Sequence, residues 1–457
     1  MEKCTISELA KAAKGRLTGN SDIVITDITT DSRRGGAGSM FVALVGDKFD
    51  GNDFAADFLL RGSAAVTNRE ITPPEGKAVI VVEDTGKALL DIAEFYRGKF
   101  DLPITAVTGS VGKTSTKDMI ASVLSKGFNT LKTEYNYNNE IGLPLMTFRL
   151  DRSHEAAVLE MGMNHSGEIS RLTAVAQPQI AVITNIGTAH IGNLGSQQNI
   201  LKAKLEVLEK LRPDGVVVLN GDDKILYSLK GQLPHTVIYY GISNLKADVI
   251  ATDIVLGNDK SKFRVNINGE PCAFEINTIG QHHIYNALAA IIAGIYHKMD
   301  VADIQSGVGD FTPDGIRQNI VKAGKITVID DCYNASLDSM ESSLMVLSQV
   351  GGVNRTVAVL GDMLEQGDFA KKAHREVGDL VARTQVQKLV TVGKDARYIA
   401  EQAAQGGVED LTSFDDNEAA ARHLLATVQD GDTILFKASR GMKLEEISIQ
   451  LKTKFGE

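Results

Sequence analysis

Apolar, β-branched runs ending in small or polar residues recur along this chain, and helical patterns follow several of them. Ile104–Val107, Ala156–Leu159, Ile180–Ile183 and Val216–Leu219 form one series. Ile326–Ile329, Thr356–Leu360, Lys388–Val392 and Thr433–Phe436 form a second, after Pro313. The alternation predicts two α/β units built on mostly parallel sheets. Before Phe100 the runs are shorter (Ile23–Ile28, Met40–Leu44, Ala78–Val82) and predict a smaller α/β domain. At about 100–200 residues per domain, a chain of 457 residues suits two to four domains. The expected boundaries give 1–100, 101–314 and 315–457.

Composition narrows the function classes. A hydrophobic fraction of 43% supports packed cores rather than disorder. A formal net charge of −10 argues against wholesale nucleic-acid binding, although a local cationic cluster can still hold an anion. The three cysteines, Cys4, Cys272 and Cys332, lack metal-ligand spacing and predict a reducing compartment. No signal peptide and no run of about 18 apolar residues is visible, so the expectation is a cytoplasmic protein with no membrane insertion.

The sharpest local signal is Ile104-Thr-Ala-Val-Thr-Gly-Ser-Val-Gly-Lys-Thr-Ser115. A strand enters Gly109, and Lys113-Thr114 opens a helix whose apolar face carries Met119, Ile120, Val123 and Leu124. Glycines let backbone N–H groups approach phosphate oxygens, and the helix N-terminus favours anions. Lys113 adds a mobile positive charge, and the Thr114 hydroxyl can sit on Mg²⁺. Val107 occupies the first-glycine position of the full Walker A spacing. Gly109, Ser110, Val111, Gly112, Lys113, Thr114 and Ser115 are the candidate phosphate-binding residues.

Glu160 and His190 follow predicted strands, and ligands in open α/β sheets gather at the carboxyl ends of strands. Both are candidate metal ligands. Lys204 lies in the apolar stripe of Leu201, Leu208 and Leu211, whereas Lys202 faces away from it. A lysine aimed at a semi-buried stripe needs a partner or a reaction that removes its charge. Carbamylation by CO₂ would turn Lys204 into a carboxylate-like Mg²⁺ ligand.

In this order these residues resemble the Mur ligase family, and the resemblance spans nearly the whole chain. Thr108-Gly-Ser-Val-Gly-Lys-Thr114 is similar to the family's ATP loop. Glu160, His190 and Lys204 fall on its Mg²⁺-binding positions and its carbamylated lysine. Gly280-Gln-His-His-Ile-Tyr-Asn286 is similar to the segment whose Asn contacts adenine, with His283 where members usually have Asn. Arg317 and Asp331 match residues that contact the nucleotide. Asp31-Ser-Arg33 with Phe49-Asp-Gly51 resembles the uridine-binding N-terminal domain, implying Ser32, Arg33, Asp50 and Gly51. Thr133-Glu-Tyr-Asn-Tyr-Asn-Asn139 is similar to the loop that meets the muramoyl substrate, implying Asn138 and Asn139, with Tyr135 where a Gly is common. Asp331-Cys-Tyr-Asn-Ala-Ser-Leu-Asp-Ser-Met340 resembles the branch that adds D-alanyl-D-alanine, implying dipeptide contacts at Tyr333 and Asn334. Gly361-Asp-Met-Leu-Glu-Gln-Gly367, His374 and Lys437-Ala-Ser-Arg440 fit the same branch. Ser336-Leu337 replaces a usual Asn-Pro, and Ala438 a usual Gly.

The resemblance implies three domains: a small α/β domain for the UDP-muramoyl substrate, a central P-loop ATPase-like domain and a Rossmann-like C-terminal domain. It implies an ATP- and Mg²⁺-dependent amide ligase joining D-alanyl-D-alanine to UDP-N-acetylmuramoyl-tripeptide through an acyl phosphate. Lys113, Arg317, His190 and Lys204 would be catalytic, and the enzyme is expected to be a monomer. Competing expectations are a third-residue-adding ligase of the same family, a folylpolyglutamate synthetase-like ligase, or a nucleotide switch without ligase chemistry.

Overall fold

A computed structural model describes residues 1–257, 259–313 and 317–456. The boundary expected between 314 and 315 lies outside the described residues. Each of three stretches of chain builds its own main sheet. A five-stranded sheet draws on residues 16–81, a nine-stranded one on residues 104–276 and a six-stranded one on residues 319–437. A two-stranded ribbon, Cys4–Thr5 with Val24–Ile25, completes the N-terminal part. The run Ile23–Ile28 thus divides, because Asp27–Thr29 leaves the ribbon to pair with Ser39–Val42.

In the nine-stranded sheet, Ile104–Thr108 lies between Ala156–Glu160 and Ile180–Ile183, and all three run parallel. The parallel order extends from Thr130–Lys132 at one edge through Val216–Asn220 and Thr236–Gly241 to Val249–Leu256. An antiparallel hairpin, Ser261–Ile267 with Glu270–Ile276, then extends the sheet, which remains mostly parallel as expected. The cause of the hairpin is local. Ser261–Ile267 alternates buried and exposed residues, and Asn268 (φ 54°) with Gly269 (φ 91°) forms the tight link. Asn-Gly adopts such left-handed pairs readily and matches the twist of the strands it joins.

The cores show which parts pack together. One apolar cluster runs unbroken across residue 100, from Ile6 and Leu89 through Tyr96 to Leu143 and Ile183. The Tyr96 hydroxyl donates to Leu150 O (2.6 Å), and the buried Arg97 guanidinium donates to the carbonyls of Ala176, Phe100 and Leu102. The C-terminal sheet instead packs its two faces against helices of its own. Leu337–Gly351, Ala370–Arg383 and Arg397–Gln405 cover one side, and Asn417–Thr427 and Glu445–Phe455 the other.

Candidate active site

The Ile104–Thr108 strand delivers the chain to Gly109, whose φ of 148° only glycine adopts freely. A Cβ there would lie 1.8 Å from Thr184 Oγ1. Thr184 and Asn185, at the end of the neighbouring strand, form the mould for the loop. Ser110 N donates to Asn185 O (3.1 Å) and Val111 N to Asn185 Oδ1 (3.0 Å), while Thr184 Oγ1 donates to Val111 O (2.6 Å). Neither Thr184 nor Asn185 is among the candidates drawn from the sequence. Their position directly after an apolar run was the available signal.

Gly112 (φ 81°) turns the chain into the Lys113–Leu124 helix, whose Met119, Ile120, Val123 and Leu124 are all buried as expected. The open N–H groups of this helix end favour anions. Lys113 Nζ donates to Gly109 O (2.8 Å) and Ser110 O (3.2 Å), so its ammonium rests on the loop's own neutral carbonyls. Burial pushes its pKa down; the nearby Arg317 pushes the same way and Glu160 opposes.

Thr114 Oγ1 donates to Glu160 Oε2 (2.7 Å), and Asn138 Nδ2 donates to the other carboxylate oxygen (2.8 Å). Glu160 N in turn donates to Thr133 Oγ1 (2.9 Å). The Thr133–Asn139 loop is thereby bolted to the phosphate loop through Glu160. Buried Lys117 reinforces the link by donating to Thr133 O (2.7 Å). Sequence reasoning missed Lys117, although its spacing of three from Ile120 and seven from Leu124 is the same apolar-stripe signal that marks Lys204.

His190 stands at φ 61° and opens the Ile191–Leu194 turn. Its pKa is lowered by burial and by Lys113 and Lys204, with Glu365 opposing. Lys204 is 2% exposed, while Lys202 faces solvent, as the apolar stripe predicted. Among the described residues no hydrogen bond or ion pair reaches Lys204 Nζ. Burial, then the charge of Lys113, holds its pKa well below the ordinary lysine value.

Asn286 accepts from Thr116 Oγ1 (2.9 Å), which sets it against the phosphate-loop helix. His283 is buried against Phe311, with ring centroids 5.6 Å apart, and burial holds its pKa well below normal. The Arg317 guanidinium stacks 3.7 Å from the Tyr333 ring centroid. Asp331 Oδ2 accepts from buried Lys437 Nζ (2.6 Å) and from Ser343 Oγ (2.6 Å). Lys437 also donates to the carbonyl of exposed Asn334 (3.2 Å). His374 accepts from Met363 N (3.0 Å) and so supports the Gly361–Gly367 turn. Ser336 opens the Leu337–Gly351 helix, its N–H donating to Ser339 Oγ (2.9 Å).

Among the described residues no hydrogen bond joins Ser32, Arg33, Asp50 or Gly51 to this cluster. Exposed Arg33 pairs with Asp31, which both of its nitrogens meet at 2.9 Å. The Ser32 carbonyl accepts from Arg61. Asp50 caps the Gly51–Phe54 turn and pairs with Arg69. Gly51 has no room for a side chain, because a Cβ would fall 2.6 Å from Leu44 O. Asn139 Oδ1 accepts from Gly142 N (2.8 Å) and caps the following helix, leaving Asn138 as the partner of Glu160. Tyr135 sits at φ 48° and 77% exposed, a backbone state that suits the glycine common at this position.

Two family models match the chain: "Mur ligase middle domain" over residues 107–294 and "Mur ligase, glutamate ligase domain" over residues 316–440. The UDP-N-acetylmuramoyl-tripeptide--D-alanyl-D-alanine ligase of Bacillus subtilis is 37% identical over 453 residues, covering 98% of each chain. The enzyme of the same name from Escherichia coli is 31% identical, again over 98% of each. A crystal structure of MurF from Acinetobacter baumannii superposes with a TM-score of 0.92 at 31% identity, covering 99% of both chains. MurF ligase from Thermotoga maritima in complex with ADP gives 0.83 at 25% identity, covering 94% of this chain and 97% of that one. The phosphate loop, its Thr184-Asn185 mould and the strand-end carboxylate thus sit in a full-length likeness, and the chain belongs to the Mur ligase family.

Proposed function

We propose that this chain joins D-alanyl-D-alanine to UDP-N-acetylmuramoyl-tripeptide with consumption of ATP. The observation that carries the reading is the moulded Gly109–Thr114 loop beside the buried Thr114–Glu160 pair, in a chain similar end to end to ligases of that name. A carboxylate does not form an amide at neutral pH, because oxide is a very poor leaving group. The tripeptide's terminal carboxylate oxygen attacks the γ-phosphorus, and ADP departs. The dipeptide amine then adds to the acyl carbon, loses its proton, and phosphate leaves with one former carboxylate oxygen.

Phosphoryl transfer asks mainly for positioning and charge neutralisation. Lys113 supplies charge by exchanging the carbonyls of Gly109 and Ser110 for phosphate oxygens, which bind an ammonium more strongly. Arg317, from the far side of the 313–317 join, adds a second cation. Asn286, set by Thr116, would meet the adenine, and Asp331 the rest of the nucleotide. Ser110, Val111, Gly112 and Ser115 complete the phosphate cradle. Ser32, Arg33, Asp50 and Gly51 would hold the uridine end, Asn138 and Asn139 the muramoyl part, and Tyr333 and Asn334 the dipeptide. We place the domain boundaries near residues 100 and 315.

The residues present fit Mg²⁺. Thr114 Oγ1 and Glu160 Oε2 are hard oxygen donors held 2.7 Å apart, and Mg²⁺ takes few protein ligands when phosphate oxygens and water supply the rest. Thr114 and Glu160 would hold one ion, and His190 with carbamylated Lys204 a second; such cations neutralise the phosphate charge. Burial shifts the Lys204 amine toward its neutral form, the nucleophile for CO₂, whose attack forms a carbamate N–C bond and releases a proton. Carbon-13 NMR of enzyme equilibrated with labelled bicarbonate should show a carbamate signal that Lys204→Ala lacks; no difference between the two refutes the modification.

The function is tested by phosphate release and product mass with a panel of amine acceptors. D-alanyl-D-alanine should be the acceptor that yields a joined product. Joining of a third amino acid to a dipeptide substrate instead would transfer the chain to another branch of the family.

A further inference from the structure

Two left-handed, non-glycine residues face each other between the central and C-terminal sheets. His190 has φ 61° and Glu365 φ 64°, a conformation costly enough for side chains that it persists where surroundings enforce it. Glu365 meets the His190 loop twice. Its carbonyl accepts from Gly192 N (3.2 Å), and its Oε2 lies 2.8 Å from His190 Nδ1. The carboxylate is off the ring N–H axis, so the second contact is close without being an aligned hydrogen bond. Gly192 is the point of closest approach: a Cβ there would lie 2.6 Å from Glu365 O and 2.8 Å from Gly367 N. Asp338, on the same side of the junction as Glu365, adds a third tie by accepting from Thr188 N (3.0 Å).

We propose that Glu365 is a positioning residue: delivered by docking of the C-terminal domain, its carboxylate orients the His190 imidazole and fixes which ring nitrogen is free for the metal. The inference rests on His190 being a metal ligand. A carboxylate on one ring nitrogen is the usual partner of a metal-binding histidine, and removing it typically costs 10–100-fold in metal affinity or activity. Contacts of this kind are often misaligned without substrate and straighten when it binds. The strain at both residues then has a use, because each is held where the other needs it only while the two domains are docked. Metal affinity and domain docking become one linked equilibrium.

The test is Mn²⁺ binding to the full-length enzyme with ADP, followed by electron paramagnetic resonance, in wild type, Glu365→Gln, Gly192→Ala, His190→Ala and the double variant Glu365→Gln/His190→Ala. Glu365→Gln keeps the main-chain tie, and Gly192→Ala leaves both side chains intact while blocking the approach. Each should lose about tenfold or more in Mn²⁺ affinity at one site. The double variant should be no weaker than His190→Ala alone, because Glu365 acts through that ring. Full affinity in Glu365→Gln, or additive losses in the double variant, overturns the proposal. If His190→Ala itself binds Mn²⁺ like wild type, the metal-ligand reading falls too, which separates the two failures.

Discussion

At Lys204 stability would oppose the metal-ligand role proposed for it. Its buried amino group has no partner among the described residues, and its pKa lies well below the ordinary value. The unfolded chain therefore holds more protons between that lowered pKa and the ordinary lysine value, so this residue's contribution makes stability rise with pH across that window. Lys204→Met should stabilise the fold by about 1–3 kcal/mol at neutral pH, flatten the pH dependence and abolish turnover. Urea unfolding at several pH values checks this; an unchanged or lower midpoint at neutral pH contradicts it. The burial was legible, because Lys204 shares a stripe with Leu201 and Leu208 while Lys202 does not. Glu160 was legible as a strand end. Glu365 and Asp338 were not assigned, because their partners, His190 and Thr188, lie about 150 or more residues away, and no local period encodes that pairing.

Among the elements, two glycines compare backbone strain alone, at Gly269, with strain and crowding together, at Gly109. Gly109 has φ 148° and no space, because Thr184 Oγ1 fills the position of a Cβ. Gly269 has φ 91° in the 261–276 hairpin and nothing within 4 Å. Gly109→Ala should distort the phosphate loop and weaken ATP binding at least tenfold. Gly269→Ala should cost about 1–2 kcal/mol of stability with kcat and KM unchanged. Isothermal titration with ATP and thermal unfolding of both variants decide it; wild-type ATP affinity in Gly109→Ala would show that the mould is not needed. The phosphate loop was readable because its glycines and Lys-Thr follow a strand at fixed spacing. The hairpin that ends the same sheet carries a different signal, alternation around Asn268-Gly269, unlike the continuous apolar runs of buried parallel strands. Tyr135 at φ 48° shows why a glycine is common there without showing why this chain differs.

At the scale of the whole molecule, the cores divide the chain differently from its three sheets. Tyr96 and Arg97 weld the N-terminal sheet to the central one, while the two C-terminal clusters contain no described residue from before Ile320. Urea should therefore unfold the protein in two transitions, with residues 1–313 in one and the C-terminal part in the other, followed by hydrogen exchange of each segment. A single transition, or separate loss of the N-terminal sheet, would contradict this division. A C-terminal part with its own core can dock and undock as a body, and ATP chemistry that must exclude water from an acyl phosphate has use for that.

Oxygen-18 reveals whether the γ-phosphoryl group passes to a carboxylate. With both oxygens of the substrate's terminal carboxylate labelled, one label should appear in the released phosphate and the other in the new amide carbonyl. Unlabelled phosphate, or label in AMP, would contradict the account.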